Sequence, residues 1–125
     1  MISSNPDILL DLTSILPGHG ENRVESRFRD GNLEVAIFYD GAHQEEQITF
    51  TFGKVVCHHI TRIPGPEFSR VEVANSVIDQ LVAFRFSDIA EAWNQHLGKR
   101  TVRHYYLFCS TEGIRIDVLG ESAAF

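Results

Sequence analysis

Hydrophobic and polar positions alternate with a period of two over most of the chain, which is the pattern of β-strands. The clearest strand covers 47–52, where Ile and Phe alternate with Gln and Thr. Strands over 24–29 and 33–39 flank Asp30-Gly31, the preferred pair for a two-residue type I′ hairpin turn. Further strands are predicted over 55–60, 101–109 and 114–119.

The stretch 88–97 follows the helical period of 3.6 instead. Asp88 is predicted as the N-cap, with Glu91 three residues later as its capping-box partner, and Gly98 ends the helix. The apolar face is predicted to consist of Ile89, Ala92, Trp93, His96 and Leu97. We therefore expect Trp93 to pack against the sheet.

A second short amphipathic helix is predicted within the first twenty residues, ending at Pro17-Gly18. Its apolar face would carry Ile8, Leu9, Leu12, Ile15 and Leu16.

The segment 68–86 does not reveal its structure by periodicity, because short apolar runs fit a buried strand and a buried helix equally well. We favour strands over 71–73 and over part of 77–84, after a break at Ile63-Pro64-Gly65-Pro66-Glu67. The elements together predict one α+β domain over 1–125, with a curved antiparallel sheet of about six to eight strands and one or two short helices. A sandwich or a partly closed barrel is the alternative.

The composition excludes some classes of function. The net charge is −6 with 11 scattered Lys and Arg, which argues against nucleic-acid binding. No apolar run approaches the length of a membrane-spanning helix, and no signal peptide is recognised, so we expect no membrane association. The two cysteines, Cys57 and Cys109, imply no disulfide framework, and free thiols favour a cytoplasmic location.

Candidate chemistry centres on Cys57-His58-His59. On a strand Cys57 and His59 share one face, and His104 from another strand could complete a zinc site. Cys57 or Cys109 beside His59 or His104 would also serve as an activated nucleophile. The simpler interpretation is that these cysteines are buried and structural, with no metal and no cofactor.

The layout of the chain resembles that of small acidic bacterial immunity proteins and uncharacterised β-rich domains. The resemblance rests on the Asp-Gly hairpin, the strand ITFTFGKVV, the Pro-Gly break, the helix with Trp93 and the hairpin YYLFCSTEGIRIDV. It implies no catalytic residues.

The leading hypothesis is therefore a non-enzymatic module that binds a protein, such as an immunity-type protein that masks a basic partner. Its candidate contacts are the acidic residues outside helix caps: Asp40, Glu45, Glu46, Glu72, Asp79 and Glu112. The alternatives are a metal- or ligand-binding domain or enzyme that uses Cys57 and His59, and a structural subunit of a homo-oligomer.

Overall fold

Two antiparallel sheets form the framework of the protein in a computed structural model, which describes residues 6–62 and 78–125. This part of the chain contains nine strands, one α-helix and a short 3-10 helix over Leu12–Ser14. The strands are β1 (Asp7–Asp11), β2 (Arg23–Arg29), β3 (Asn32–Asp40), β4 (Glu45–Gly53), β5 (Cys57–Arg62), β6 (Gln80–Phe84), β7 (Arg103–Cys109), β8 (Ile114–Gly120) and β9 (Ser122–Ala124), and the helix α1 covers Asp88–Leu97. One sheet has the order β1-β6-β7-β8-β5 and the other β2-β3-β4-β9.

The α+β prediction holds at this level, but the single curved sheet of about six to eight strands is wrong, because the described chain forms nine strands in two sheets. The described sheets do not close on themselves, so they form a sandwich and not a partly closed barrel. Their facing sides share one core, in which Phe52 of β4 contacts the Tyr105 ring of β7 with 5.3 Å between ring centroids. All seven residues of β8 are buried, including Arg115 and Asp117. Strand β8 is therefore covered on both faces.

The hairpin between β2 and β3 forms as predicted. Asp30 and Gly31 have φ angles of 53° and 80°, the left-handed values that a type I′ turn requires at both central positions. Arg29 pairs with Asn32 across the turn, and this register continues to Arg23 opposite Phe38.

The predicted helix in the first twenty residues is wrong. Residues Asp7–Asp11 form β1, which pairs with β6 through a register irregularity between Ile8 and Leu10. A turn of 3-10 helix follows, in which Leu12 is completely buried while Ile8 is 57% exposed. Pairing with β6, which is distant in sequence, decides the conformation of a run that fits the helical period by itself.

Helix α1 has the predicted bounds but a different cap, and its buried face shares only Ile89 and Leu97 with the predicted face. The Oγ of Ser87, and not the carboxylate of Asp88, accepts a hydrogen bond from the Ala90 backbone N–H. Ala90 packs with Val102, and Trp93 is 37% exposed, so the expectation that Trp93 is packed on the sheet is wrong.

The buried face of α1 carries Ala90, Asn94 and Leu97, spaced by four and three residues, with Ile89 beside them. Asn94 anchors the helix to the segment before β7, because its side chain accepts from the Val102 N–H and donates to the Val102 carbonyl. Gly98 follows with a φ of 69°, as the predicted C-terminal glycine should.

The strand predicted within 77–84 corresponds to β6, whereas the strand predicted over 71–73 and the break at 63–67 lie outside the described residues. Within the described ranges, no helix has the length and apolar character needed to cross a bilayer.

Candidate functional site

The outer face of the five-stranded sheet collects the residues predicted to carry chemistry. Leu119 of β8 pairs with His104 on one side and with Cys57 on the other, and Asp117 pairs with His59. Paired residues share a face of the sheet, so Cys57, His59, His104 and Asp117 all lie on this face.

Sharing a face does not bring these residues into one metal site. Strand β8 lies between the strands that carry Cys57 and His104. Their backbones are therefore two strand spacings, or about 10 Å, apart. In the described ranges, no three His, Cys, Asp or Glu side chains meet as metal ligands would. The Nδ1 of His59 contacts the Thr61 Oγ1 at 2.9 Å.

The structure instead connects His104 to three residues that are not among the predicted site residues. Its Nδ1 lies 2.8 Å from the Ser87 Oγ, and its Nε2 lies 2.7 Å from the Asp117 Oδ1. The other carboxylate oxygen of Asp117 accepts from Arg115 Nε at 3.0 Å. All four residues are buried: His104 0%, Asp117 1%, Arg115 3% and Ser87 4% exposed.

The roles in this network follow from the donors available. Because a carboxylate oxygen accepts, His104 is assigned the tautomer that donates from Nε2 to Asp117 and accepts at Nδ1 from the Ser87 hydroxyl. The result has the connectivity of a Ser-His-Asp triad. The same hydroxyl also accepts from the Ala90 N–H, so it caps α1 and fastens that helix to β7.

A groove of about 350 Å³ reaches this network from the surface between β6, α1 and β7. Ser87 and His104 are among its lining residues, and Phe86, which also lines it, is 47% exposed. Arg85 and Arg103 border the groove but are both paired with Asp7, at 2.9 and 3.0 Å. These hydrogen bonds, that of Arg85 first, lower the pKa of the Asp7 carboxyl.

The sequence could have pointed to part of this network. Arg115 and Asp117 are charged residues at alternate positions in an otherwise apolar strand, a pattern that indicates an ion pair if that face is buried. Ser87 gave no such signal, because the neighbouring Asp88 is an equally good cap by residue type.

Three of the six predicted acidic contact residues do come together. Asp40 and Glu45 face each other across the end of β3 and β4, and Tyr39 pairs with Glu46 beside them. The Asn22 side-chain amide donates to Asp40 at 2.7 Å and to Glu45 at 2.9 Å. We call the exposed residues Asp40, Glu45 and Glu46 the acidic end.

Hydrogen bonds favour the charged form of two carboxylates of the acidic end, those of Asp40 and Glu45. Hydrogen bonds from Asn22 and then from His19 lower the pKa of Asp40, and those from Asn22 and Arg23 lower the pKa of Glu45. Arg23 also stacks over the Phe38 ring at 3.8 Å from its centroid.

The remaining acidic candidates lie elsewhere. Asp79 accepts hydrogen bonds from the backbone N–H and the hydroxyl of Ser110, which indicates a structural role at the end of β7. Glu112 lies 3.7 Å from Arg62, and Glu72 is outside the described residues. These three residues therefore do not extend the acidic end.

Sequence reasoning missed the open side of the sandwich, where the edge strands β2 and β5 lie near each other. Phe28 pairs with the core residue Leu33 and Ile60 with the core residue Ile116, so both side chains are on the inner faces of their sheets. Nevertheless Phe28 is 49% and Ile60 40% exposed. The Phe28 ring lies 5.0 Å from the His58 ring, which links the two edges.

The chain matches no protein-family model, and comparison with curated proteins and with solved structures gives no significant match.

Proposed function

We propose that the protein is a non-enzymatic protein-binding module whose docking surface is the open side of the sandwich. The observation that carries the proposal is the exposure of Phe28 and Ile60, two large apolar side chains on core-facing positions that the described chain leaves half uncovered. Half-exposed aromatic and aliphatic residues beside an exposed strand edge are typical of surfaces that bind another protein.

The charge near this surface favours a basic partner. The acidic end lies beside the start of β2, where Arg23 contacts Glu45 at 2.9 Å. Carboxylates held in their ionised form attract a basic segment and raise its association rate. This supports an immunity-type protein that masks a basic partner, and free Cys57 and Cys109 support a cytoplasmic location for it.

The test is a pull-down from native cytosol with the purified protein as bait, followed by mass spectrometry and by binding kinetics with the identified partner. A Phe28→Ser, Ile60→Ser variant should lose the partner, whereas Trp93→Ser, which removes an exposed aromatic from α1, should retain it. Replacing Asp40 by Asn and Glu45 and Glu46 by Gln should slow association and flatten its salt dependence. Capture that is unchanged in the Phe28→Ser, Ile60→Ser variant would overturn the proposal.

A second candidate function is hydrolysis at Ser87, which the groove beside Ser87 and His104 favours. The Ser87 oxygen would attack a carbonyl carbon and pass its proton to His104 Nδ1. That proton would then go to the leaving group, and water would hydrolyse the acyl-serine. Labelling with a fluorophosphonate tests this candidate. A mass increase on wild type and Ser26→Ala but not on Ser87→Ala would support it, and unlabelled wild-type protein would exclude it.

A further inference from the structure

We infer that strand β2 pairs antiparallel with β2 of a second copy of this chain, in a register centred on Ser26. This goes beyond the proposed function, whose basic partner it does not name, and concerns the edge strand of the same open side.

Strand β2 is the longest edge among the described strands. It has seven residues in unbroken register with β3, whereas β5 has six in unbroken register with β8, β1 has five with an irregularity and β9 has three. Six of its seven residues are exposed and the seventh, Val24, is half-buried. A long, flat, uncovered edge is a template for another strand.

The hairpin fixes which backbone groups of β2 are available. Arg29 and Asn32 flank a two-residue turn and form a hydrogen-bonded pair, so Arg29, Arg27 and every second residue before them point their backbone groups toward β3. Val24, Ser26 and Phe28 therefore point their N–H and C=O groups outward. A two-fold axis at Ser26 places Ser26 opposite itself and Val24 opposite the other copy's Phe28, so outward groups meet outward groups.

The side chains agree with the same register. On the outer face, Glu25 of each copy falls opposite Arg27 of the other, in the closely spaced non-hydrogen-bonded pairs of the ladder. On the inner face, the half-exposed Phe28 meets Val24 of the second copy. An axis at Glu25 or at Arg27 would place two like charges opposite each other at the centre of the ladder and would pair only five of the seven residues of β2.

One further observation at this edge supports the pairing. A groove of about 580 Å³ runs along its outer face, lined by Glu25, Ser26, Arg27, Glu34 and Ala36. At each end of the ladder Arg29 would fall opposite Arg23 of the other copy, a pair of like charges that is offset by the carboxylates Glu25 and Glu45 in contact with Arg23.

Sedimentation velocity of the purified full chain over a range of concentrations tests the inference. Wild type should associate to a dimer. Glu25→Arg and Arg27→Glu should each weaken the dimer about tenfold or more, because each substitution turns two attractive pairs into two repulsive ones.

An equimolar mixture of Glu25→Arg and Arg27→Glu should recover the dimer. In the mixed dimer one copy has arginine at positions 25 and 27 and the other has glutamate at both, so each position 25 again faces an opposite charge at position 27. Lys99→Glu, a charge reversal on the loop after α1, should dimerise like wild type. Ser26→Pro removes one outward N–H and should also weaken the dimer.

A wild-type protein that stays monomeric at every concentration, or a mixture that fails to recover the dimer, would overturn the inference. A monomer that still captures a different protein in a Phe28-dependent manner would leave the proposed function intact. If the wild type dimerises but its Phe28→Ser, Ile60→Ser variant captures the same proteins as wild type, the inference stands and the proposed function is overturned.

Discussion

His104 and Asp117 are joined diagonally across neighbouring strands, with 2.7 Å between Nε2 and Oδ1 and almost no exposed surface on either side chain. The directly paired positions are His104 with Leu119 and Asp117 with Tyr106. The contact therefore depends on the register of β7 against β8 as well as on the two residue types.

We expect Asp117→Ala to destabilise the fold by about 3–5 kcal/mol, because it removes one member of a buried ion pair and leaves Arg115 and His104 without this carboxylate. Urea denaturation monitored by circular dichroism measures the change. Asp7→Ala, which removes a partly exposed carboxylate from two arginines, is the control and should change the midpoint little. Equal effects of the two substitutions would contradict the role of burial.

Ser87→Ala should cost about 1–2 kcal/mol, since it removes the cap of α1 and the hydroxyl bound to His104. Asp88→Ala should cost less, because the Asp88 side chain is not the cap. Helix content and thermal unfolding of the two variants show whether Ser87 or Asp88 is the N-cap of α1. A larger loss in Asp88→Ala would restore the assignment made from the sequence.

The two thiols should differ in reactivity. Burial raises the pKa of the Cys109 thiol strongly, and the nearby Glu21, Asp79 and Glu112 carboxylates raise it further. Burial and then the charge of Asp117 raise the pKa of Cys57, which is only partly buried. Because the thiolate is the reactive form, iodoacetamide should modify Cys57 slowly in the native protein and Cys109 only after unfolding. Mass spectrometry of the alkylated protein at successive times reads this directly, and early labelling of Cys109 would refute it.

The hydrogen bonds of the acidic end should contribute stability that depends on pH. The pKa values of Asp40 and Glu45 are lowered from 3.8 and 4.5 in the folded state, so the contribution is present above those values and is lost as the pH falls through the lower folded values. Asn22→Ala, which removes the first cause of both shifts, should therefore differ from wild type at neutral pH and converge with it in acid. Urea midpoints of both proteins from pH 7 to about pH 2.5 test this. A difference that stays constant with pH would contradict it.

The parts of the fold that could be predicted are those controlled by local chemistry. Asp30-Gly31 supplies the two left-handed residues of its turn, and the alternation in 47–52 fits β4 because only one side of that strand meets the core. Gly98 ends α1 for a similarly local reason.

The parts that could not be predicted depend on distant partners. Residues 8–16 have helical spacing, but β6 supplies hydrogen-bond partners for Ile8 and Leu10. Trp93 lies outside the core because Asn94 binds the Val102 backbone and thereby sets the rotation of α1. The same holds for the site, since His104 was a candidate by type whereas Ser87 and Asp117 reach it only through the folded register.

The pairing of strands that are far apart in sequence has a consequence for folding kinetics. Asp7 pairs with Ala83, Thr51 with Ala124 and Cys57 with Leu119, so both sheets are completed by contacts that span about half of the chain or more. Closing such long loops before their contacts form slows folding, and sandwiches of this kind fold in roughly milliseconds to seconds. The meander β2-β3-β4 needs only short loops, so we expect it to form before the five-stranded sheet is complete. During that interval its edge strand β2 remains accessible to a neighbouring chain.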